Sequence, residues 1–256
     1  VDWDLFRKHI FAGDYQGAEN YCKENVLGDW TESYLPAGTL SINVKEPIQN
    51  GNSFYRRELC LTNATEKIEF CQDDLIYQRE FFVSMSEPVM AIYHTSPNCN
   101  LEMSITLESE IKHKSAFFAE NGIILEGQAP IYVAPPYYSC EVPVVYEEGQ
   151  GIRFAIGLYV QTNGGNVYQQ ADKLFINTPN DVYIYVSGVT DFKQKELFFS
   201  KRNCMMENIQ HIQYEKQKKA HMDVYANYFD RMHLDINYTP DNELALKMFH
   251  YARYLM

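Results

Sequence analysis

The sequence predicts a mainly β protein, a large antiparallel β-sandwich of the super-sandwich type with short helices before it and a helical linker after it. Three observations predict this. Between Tyr34 and Gly188 apolar residues recur with a period of two, in Leu40, Ile42, Val44, in Leu101, Met103, Ile105, Leu107, and in Ile152, Phe154, Ile156, Leu158, Val160. These runs are short and separated by turn residues, the pattern of antiparallel strands in a sandwich rather than of strands alternating with helices. On either side the apolar spacing changes to three and four. A chain of 256 residues that is 46% hydrophobic has enough apolar surface to bury one large core or two modest ones.

In chain order, Asp2 to Asn25 carries Leu5, Phe6, Ile10, Phe11, Ala18, Tyr21 and Cys22 at helical spacing, interrupted at Gly13-Asp14. Two short helices are expected, Gly13 closing the first in the left-handed region and Asp14 accepting from the free amides that open the second. Further strands are expected at Ile68–Phe70, Phe81–Val83, Val89–Tyr93, Ile123–Leu125, Leu174–Ile176 and Val182–Val186, with a hairpin turn at Asn163-Gly164-Gly165-Asn166. After Asp191, the positions Met205, Met206, Ile209, Ile212, Val224, Tyr228, Phe229 and Met232 read as one long helix, with Lys216, Lys218 and Lys219 on its solvated face. Pro240-Asp241 opens another helix. Its stripe of Leu244, Leu246, Phe249, Tyr251, Tyr254 and Leu255 is too wide for an isolated surface helix and calls for a partner, a second copy among the options. The boundaries that follow are a sandwich over 1–190 and a helical linker over 191–240.

Composition and motifs exclude most chemistry. A formal net charge of -12 repels both a phosphate backbone and an anionic lipid surface, so neither nucleic acid nor membrane is an expected partner. No apolar run approaches the ~20 residues of a membrane helix. The start at Val1 and the end at Met256 inside a helical pattern read as a processed or truncated product. Cys22, Cys60, Cys71, Cys99, Cys140 and Cys204 form no CxxC; they are expected to be mostly buried thiols, with one or two long-range disulfides open if the protein is exported. The histidines His9, His94, His113, His211, His221, His233 and His250 include no i, i+4 pair, so no metal is expected, and no cofactor. His94 with Cys99 lacks a third orienting group and reads as a structural histidine. Neither a GxSxG elbow nor a phosphate loop is present. The acids Asp73-Asp74 and Glu147-Glu148 are adjacent, so on a strand they diverge and in a turn they face water. No catalytic residue is identified.

One segment points to ligand contact. Aromatic residues make up 14% of the chain and tyrosine alone contributes 20, and most of these rings are expected to pack the sheets together. The stretch Gln128-Ala-Pro-Ile-Tyr-Val-Ala-Pro-Pro-Tyr-Tyr138 differs, because its prolines exclude a central strand and stiffen a loop that presents Tyr132, Tyr137 and Tyr138. Such rings stack on sugars and their hydroxyls donate hydrogen bonds, which makes the three the candidate substrate-binding residues; the alternative is a purely structural rim loop.

Several segments, in order, resemble the amino-terminal part of family 95 glycoside hydrolases. Phe6-Arg-Lys-His-Ile-Phe-Ala-Gly-Asp-Tyr15 with Ala18 and Glu19 resembles a helical "IF-G-Y-A-E" stretch, and Tyr34-Leu-Pro-Ala-Gly-Thr-Leu40 resembles "YQPLGDL". Tyr55-Arg-Arg-Glu-Leu-Cys-Leu-Thr-Asn-Ala64 is similar to "YRRELDL-A", and Gln78-Arg-Glu-Phe-Phe-Val-Ser84 to "REVFAS". The proline loop with Tyr146-Glu-Glu-Gly-Gln-Gly-Ile-Arg-Phe154 follows "APSHV-PNY" and "G-GM-F", and His221-Met-Asp-Val-Tyr225, Leu234-Asp235 and Phe249-His-Tyr-Ala-Arg-Tyr-Leu255 resemble a linker and first barrel helix. The resemblance implies a sandwich incomplete at its amino terminus, because a "PLGNG" strand segment is missing. It also implies the start of an (α/α)6 barrel at 241–256. The implied activity is inverting, exo-acting hydrolysis of terminal α-L-fucosides of glycans. The catalytic residues then lie outside this chain, fucosylated oligosaccharide is met through the barrel, and the protein works outside the cytoplasm, periplasmic or secreted. Ile131-Tyr132 stand where the family often has Ser-His. The alternatives are a non-catalytic carbohydrate-binding or structural module, and the same hydrolase with α-L-galactoside specificity. The triplets Asn63-Ala-Thr65 and Asn237-Tyr-Thr239 would accept glycans in a eukaryotic secretory route.

Overall fold

The computed structural model describes residues 1–28, 32–45, 54–72, 75–95, 101–234, 236 and 239–256. Asp73-Asp74, Cys99, Asn237 and Tyr238 lie outside them. The elements in order are α1 (Trp3–Phe11), α2 (Tyr15–Asn25), β1 (Thr39–Lys45), β2 (Phe54–Cys60), β3 (Thr65–Gln72), β4 (Leu75–Val83), β5 (Val89–Thr95), β6 (Glu102–Glu108), β7 (His113–Phe118) and β8 (Gly122–Gln128). They continue with β9 (Tyr132–Val133), β10 (Val144–Val145), β11 (Arg153–Asn163), β12 (Asn166–Gln170), β13 (Lys173–Asn177), β14 (Asp181–Thr190), α3 (Phe198–Gln210), α4 (Tyr214–Phe229) and α5 (Pro240–Leu255). The chain forms two compact units, one of residues 1–35 with 130–150, the other of 36–129 with 151–256.

In the smaller unit the two expected helices are present. Asp2 caps α1 by accepting from the amides of Asp4 and Leu5. Gly13 sits at φ 73°, and Asp14 caps α2 by accepting from Gly17 N at 2.9 Å. That bond, with the His9 ring at 2.8 Å, holds the Asp14 carboxyl below its usual range.

The larger unit is an antiparallel sandwich, and no helix interrupts its strands among the described residues. Eight strands run in the order β2-β3-β4-β5-β14-β11-β8-β7 and four in the order β1-β6-β13-β12. The middle of the large sheet is buried on both faces. On β14, Val182 and Ile184 are buried toward one side and Tyr185 toward the other. The first side carries Leu158 and Val160 of β11 and Ile123 and Leu125 of β8, and β6 of the small sheet lies against β8. The second side joins Ala91, Ala155 and Tyr185 to Phe198, Met205, Met206 and Ile209 of α3 and Tyr214 of α4. Gly157 of β11 permits this approach, since a Cβ there would stand 2.5 Å from the Met206 sulfur.

Several expectations are corrected. The segment Asn163–Asn166 joins no hairpin: β11 belongs to the large sheet and β12 to the small one, so the two glycines, at φ 75° and 68°, carry the chain from sheet to sheet. The hairpin is the next turn, between β12 and β13, where Ala171 takes φ 54°. The expected long helix is two helices. Gln161 reaches across from β11 and donates to the carbonyls of Gln210 and Ile212, both at 3.1 Å, which satisfies groups a continuous helix would have used. Met205, Met206 and Ile209 are buried as the spacing predicts, yet Tyr228 and Met232 are exposed. Lys218 is not on a solvated face but pairs with Glu80. None of the described cysteines is fully buried: Cys22, Cys60 and Cys71 are half-buried, Cys140 and Cys204 exposed, and all five are free thiols. Strands β2, β7 and β12 escape the period-two reading because edge positions leave most of their side chains in water.

Candidate functional site

The proline loop lies in the smaller unit. Its rigid part is the short ladder between β9 and β10, in which Val133 faces Val144 and Tyr132 faces Val145. Val133 and Ala134 are buried, and the segment around Ser33 fastens them. The Glu32 carboxylate accepts from Val133 N at 3.2 Å, and Ser33 Oγ donates to the Ala134 carbonyl at 3.2 Å. Past the ladder, Tyr138 N donates to the Pro135 carbonyl at 2.9 Å, closing a four-residue turn whose second position is Pro136.

This frame sorts the three tyrosines. Tyr132 is half-buried; burial pushes its hydroxyl pKa up, and Cys140, Tyr138 and Glu32 nearby add to the rise. Tyr138 is 45% exposed and Tyr137, at the tip of the turn, 72%. The fold therefore groups Tyr132 with Tyr138, while Tyr137 projects from the loop. Phenols on a proline-stiffened turn offer flat rings and hydroxyl donors for ligand contact. Glu147 and Glu148 are exposed in the turn that follows and form no catalytic pair.

In the larger unit a polar cluster escapes the sequence reading. Glu80 of β4 accepts from the Tyr214 hydroxyl and pairs with Lys218 at 2.7 Å. Three residues along α4, His221 is buried to 1% exposure, with Nδ1 accepting from Met85 N at 3.2 Å and Nε2 donating to the Asn63 carbonyl at 3.0 Å. Burial lowers its pKa, so it is held neutral. Tyr225 donates to the Leu61 carbonyl at 2.8 Å, and Gln217 donates to Ser84 and Ser86. The signal was available: residues 214, 217, 218, 221 and 225 follow i, i+3, i+4, i+7, i+11. It was hidden because those side chains end in polar atoms. Each of these side chains bonds to a fixed protein partner, and together the bonds dock α4. Of His94 and Cys99, only His94 lies among the described residues. It is buried, its Nδ1 donates to the Gln78 carbonyl at 3.3 Å, and burial with the Arg79 charge lowers its pKa to about 4.

Among the described residues no group of three or more His, Cys, Asp or Glu side chains is arranged to hold a metal, and no helix is long and apolar enough to cross a membrane.

Comparison with known proteins follows the same lines. Residues 4–195 match the family model described as glycosyl hydrolase family 65, N-terminal domain. Alpha-L-fucosidase 2 of Arabidopsis thaliana is 24% identical over 207 residues, which cover 74% of this chain and 24% of that protein. The chain thus spans about a quarter of the length of this curated relative. Among solved structures, a putative kojibiose phosphorylase from the human microbiome superposes with a TM-score of 0.59 at 9% identity, over 84% of this chain and 30% of that one, a likeness of fold. The sequence resemblance pointed to family 95, whereas the matching family model is that of family 65; both concern an amino-terminal β-sandwich domain of a glycoside hydrolase. With most of its length matched, the chain belongs to the glycosyl hydrolase family 65 N-terminal domain family and is the amino-terminal β-sandwich domain of a glycoside hydrolase.

Proposed function

We propose that this chain is the amino-terminal accessory domain of an inverting, exo-acting glycoside hydrolase of the α-L-fucosidase type, with fucosylated glycans as substrate. The observation that carries the proposal is the 207-residue similarity to alpha-L-fucosidase 2, which spans most of this chain. Inversion requires one carboxylic acid to protonate the leaving oxygen and a second group to activate water on the opposite ring face. The proposal assigns both to the part of the enzyme outside this chain. The role left to the domain is support, together with sugar contact through Tyr132, Tyr137 and Tyr138. On this proposal the enzyme acts on glycans outside the cytoplasm, as a periplasmic or secreted protein.

The test compares the 256-residue chain with a longer protein that contains it, on aryl α-L-fucoside and α-L-galactoside. The longer protein is expected to cleave the fucoside and release β-L-fucose first, as seen by proton NMR before mutarotation; the chain alone is expected to be inactive. Hydrolysis by the chain alone would overturn the accessory role, and preference for the galactoside would change the sugar. Failure of the longer protein on both would favour a module that only binds or supports. Replacing the three tyrosines with Ala should raise KM more than it lowers kcat, the mark of lost uniform binding. Unchanged kinetics would return the loop to a structural role.

A further inference from the structure

The larger unit carries a groove of about 650 Å³ that the glycosidase reading does not use. It lies between α3, α4 and the turn joining β4 to β5. Its floor is apolar, made of Val89, Val189, Met205, Ile209 and Ile212. Its volume is that of a small-molecule site rather than of a channel for a helix or strand. Its rim is polar, and the charges there are unbalanced.

Elsewhere on these helices Arg202 pairs with Glu126 and Lys218 with Glu80, while Lys219 is exposed and off the groove. Lys201 of α3 and Lys216 of α4, both on the groove, pair with no carboxylate among the described residues. Lys201 is half-buried where it lines the groove, and a lysine in such a position can cover apolar surface with its stem and keep its ammonium in water. Glu87 is the acid on the rim, on the turn side. In a chain with 34 acidic and 22 basic side chains, two unmatched ammonium groups over an apolar floor select for a negative charge on an apolar body.

We infer that this groove binds a small amphipathic carboxylate, its apolar body on the Val89–Met205–Ile209 floor and its carboxylate at Lys201 and Lys216. The inference is independent of the proposed glycosidase role. A reporter is built in, since Cys204 lies on the groove, is exposed and is a free thiol, while Cys140 in the other unit is an exposed free thiol that serves as internal control.

The experiment titrates the 256-residue chain with decanoate, decan-1-ol and decyltrimethylammonium below their aggregation limits, by calorimetry and by the rate at which iodoacetamide alkylates each cysteine. Decanoate is expected to bind at least about tenfold more tightly than the other two, roughly 1.4 kcal/mol. It should slow alkylation of Cys204 and leave Cys140 unchanged. The double variant Lys201→Ala, Lys216→Ala should lose that advantage, and Lys201→Arg, Lys216→Arg should keep it. Equal affinity for the three head groups, no protection of Cys204, or unchanged decanoate binding by the double Ala variant would each overturn the inference. Binding by the chain but not by a longer protein containing it would also overturn it, because the groove would then be filled by the rest of the enzyme.

Discussion

Helix α4 turns toward the large sheet a face made of Tyr214, Gln217, Lys218, His221 and Tyr225, whereas α5, equally long at 16 residues, leaves Leu244, Met248, Tyr251 and Leu255 exposed. Counting apolar residues would have ranked them the other way. Each side chain on the α4 face ends in a polar atom, and each of those atoms meets a fixed partner: Glu80, the Ser84–Ser86 hydroxyls, or the backbone of Leu61, Asn63 and Met85. Burying such groups is costly unless all are matched, so the face fits one surface and no other. An apolar stripe is non-directional, and burial follows only where some apolar surface is present to receive it. The described contacts that fasten α5 to α4 lie off that stripe, where the Arg253 guanidinium sits 4.2 Å from the centre of the Phe229 ring and donates to the Phe229 carbonyl.

The largest effect should come from breaking the α4 face at its start. Tyr214→Ala removes a ring packed on Phe82, Tyr93 and Tyr183 and strips Glu80 of a donor. It should lower the urea unfolding free energy by about 3–5 kcal/mol, and Tyr214→Phe by only about 1–2 kcal/mol. A loss under about 1 kcal/mol for the Ala variant would mean that α4 is not docked as described.

Acidification should act next. His94 keeps a folded pKa of about 4 against an unfolded value near 6.5. Between those values the unfolded chain binds the proton and the folded chain does not, so stability is full above about pH 6.5 and declines as pH falls toward 4, by about 3 kcal/mol. His221, shifted in the same direction, adds to the decline and ties it to α4. Urea midpoints measured from pH 7 to pH 4.5 should fall, and a His221→Gln variant should fall less steeply from a lower start. Midpoints that rise on acidification would contradict the neutral, buried assignment of both rings.

Gly157→Ala sharpens the comparison from the sheet side, because the new methyl meets Met206 and Met205 of α3. A cost of about 1–3 kcal/mol is expected from calorimetric or urea unfolding, and no cost would show that α3 has room to lift. The smallest effects belong to α5. Leu244→Ala and Met248→Ala should each stay within about 0.5 kcal/mol while reducing the binding of a hydrophobic dye. A larger destabilisation would mean that the stripe is covered after all.

Much of this protein was legible before its structure. The alternation in Leu101–Leu107 and Ile152–Val160 marks strands because neighbouring side chains on extended backbone must point to opposite faces. Gly13 and Asp14 mark a helix end and start through their own φ preference and side-chain acceptor. The proline loop announced itself through ring-constrained φ angles and missing amide donors. All of these are effects of a residue on its immediate neighbours, so they survive in the sequence alone. The tertiary structure decided what depends on a distant partner. Edge strand β2 is a strand because β3 offers it a ladder, and the glycines at 164–165 cross between sheets because β13 pairs with β6. The helix breaks before α4 because Gln161, on another strand, claims its carbonyls. The α4 face finds its partners 131 to 164 residues earlier in the chain, and no local periodicity records which surface will be there to match a hydroxyl, an ammonium or an imidazole.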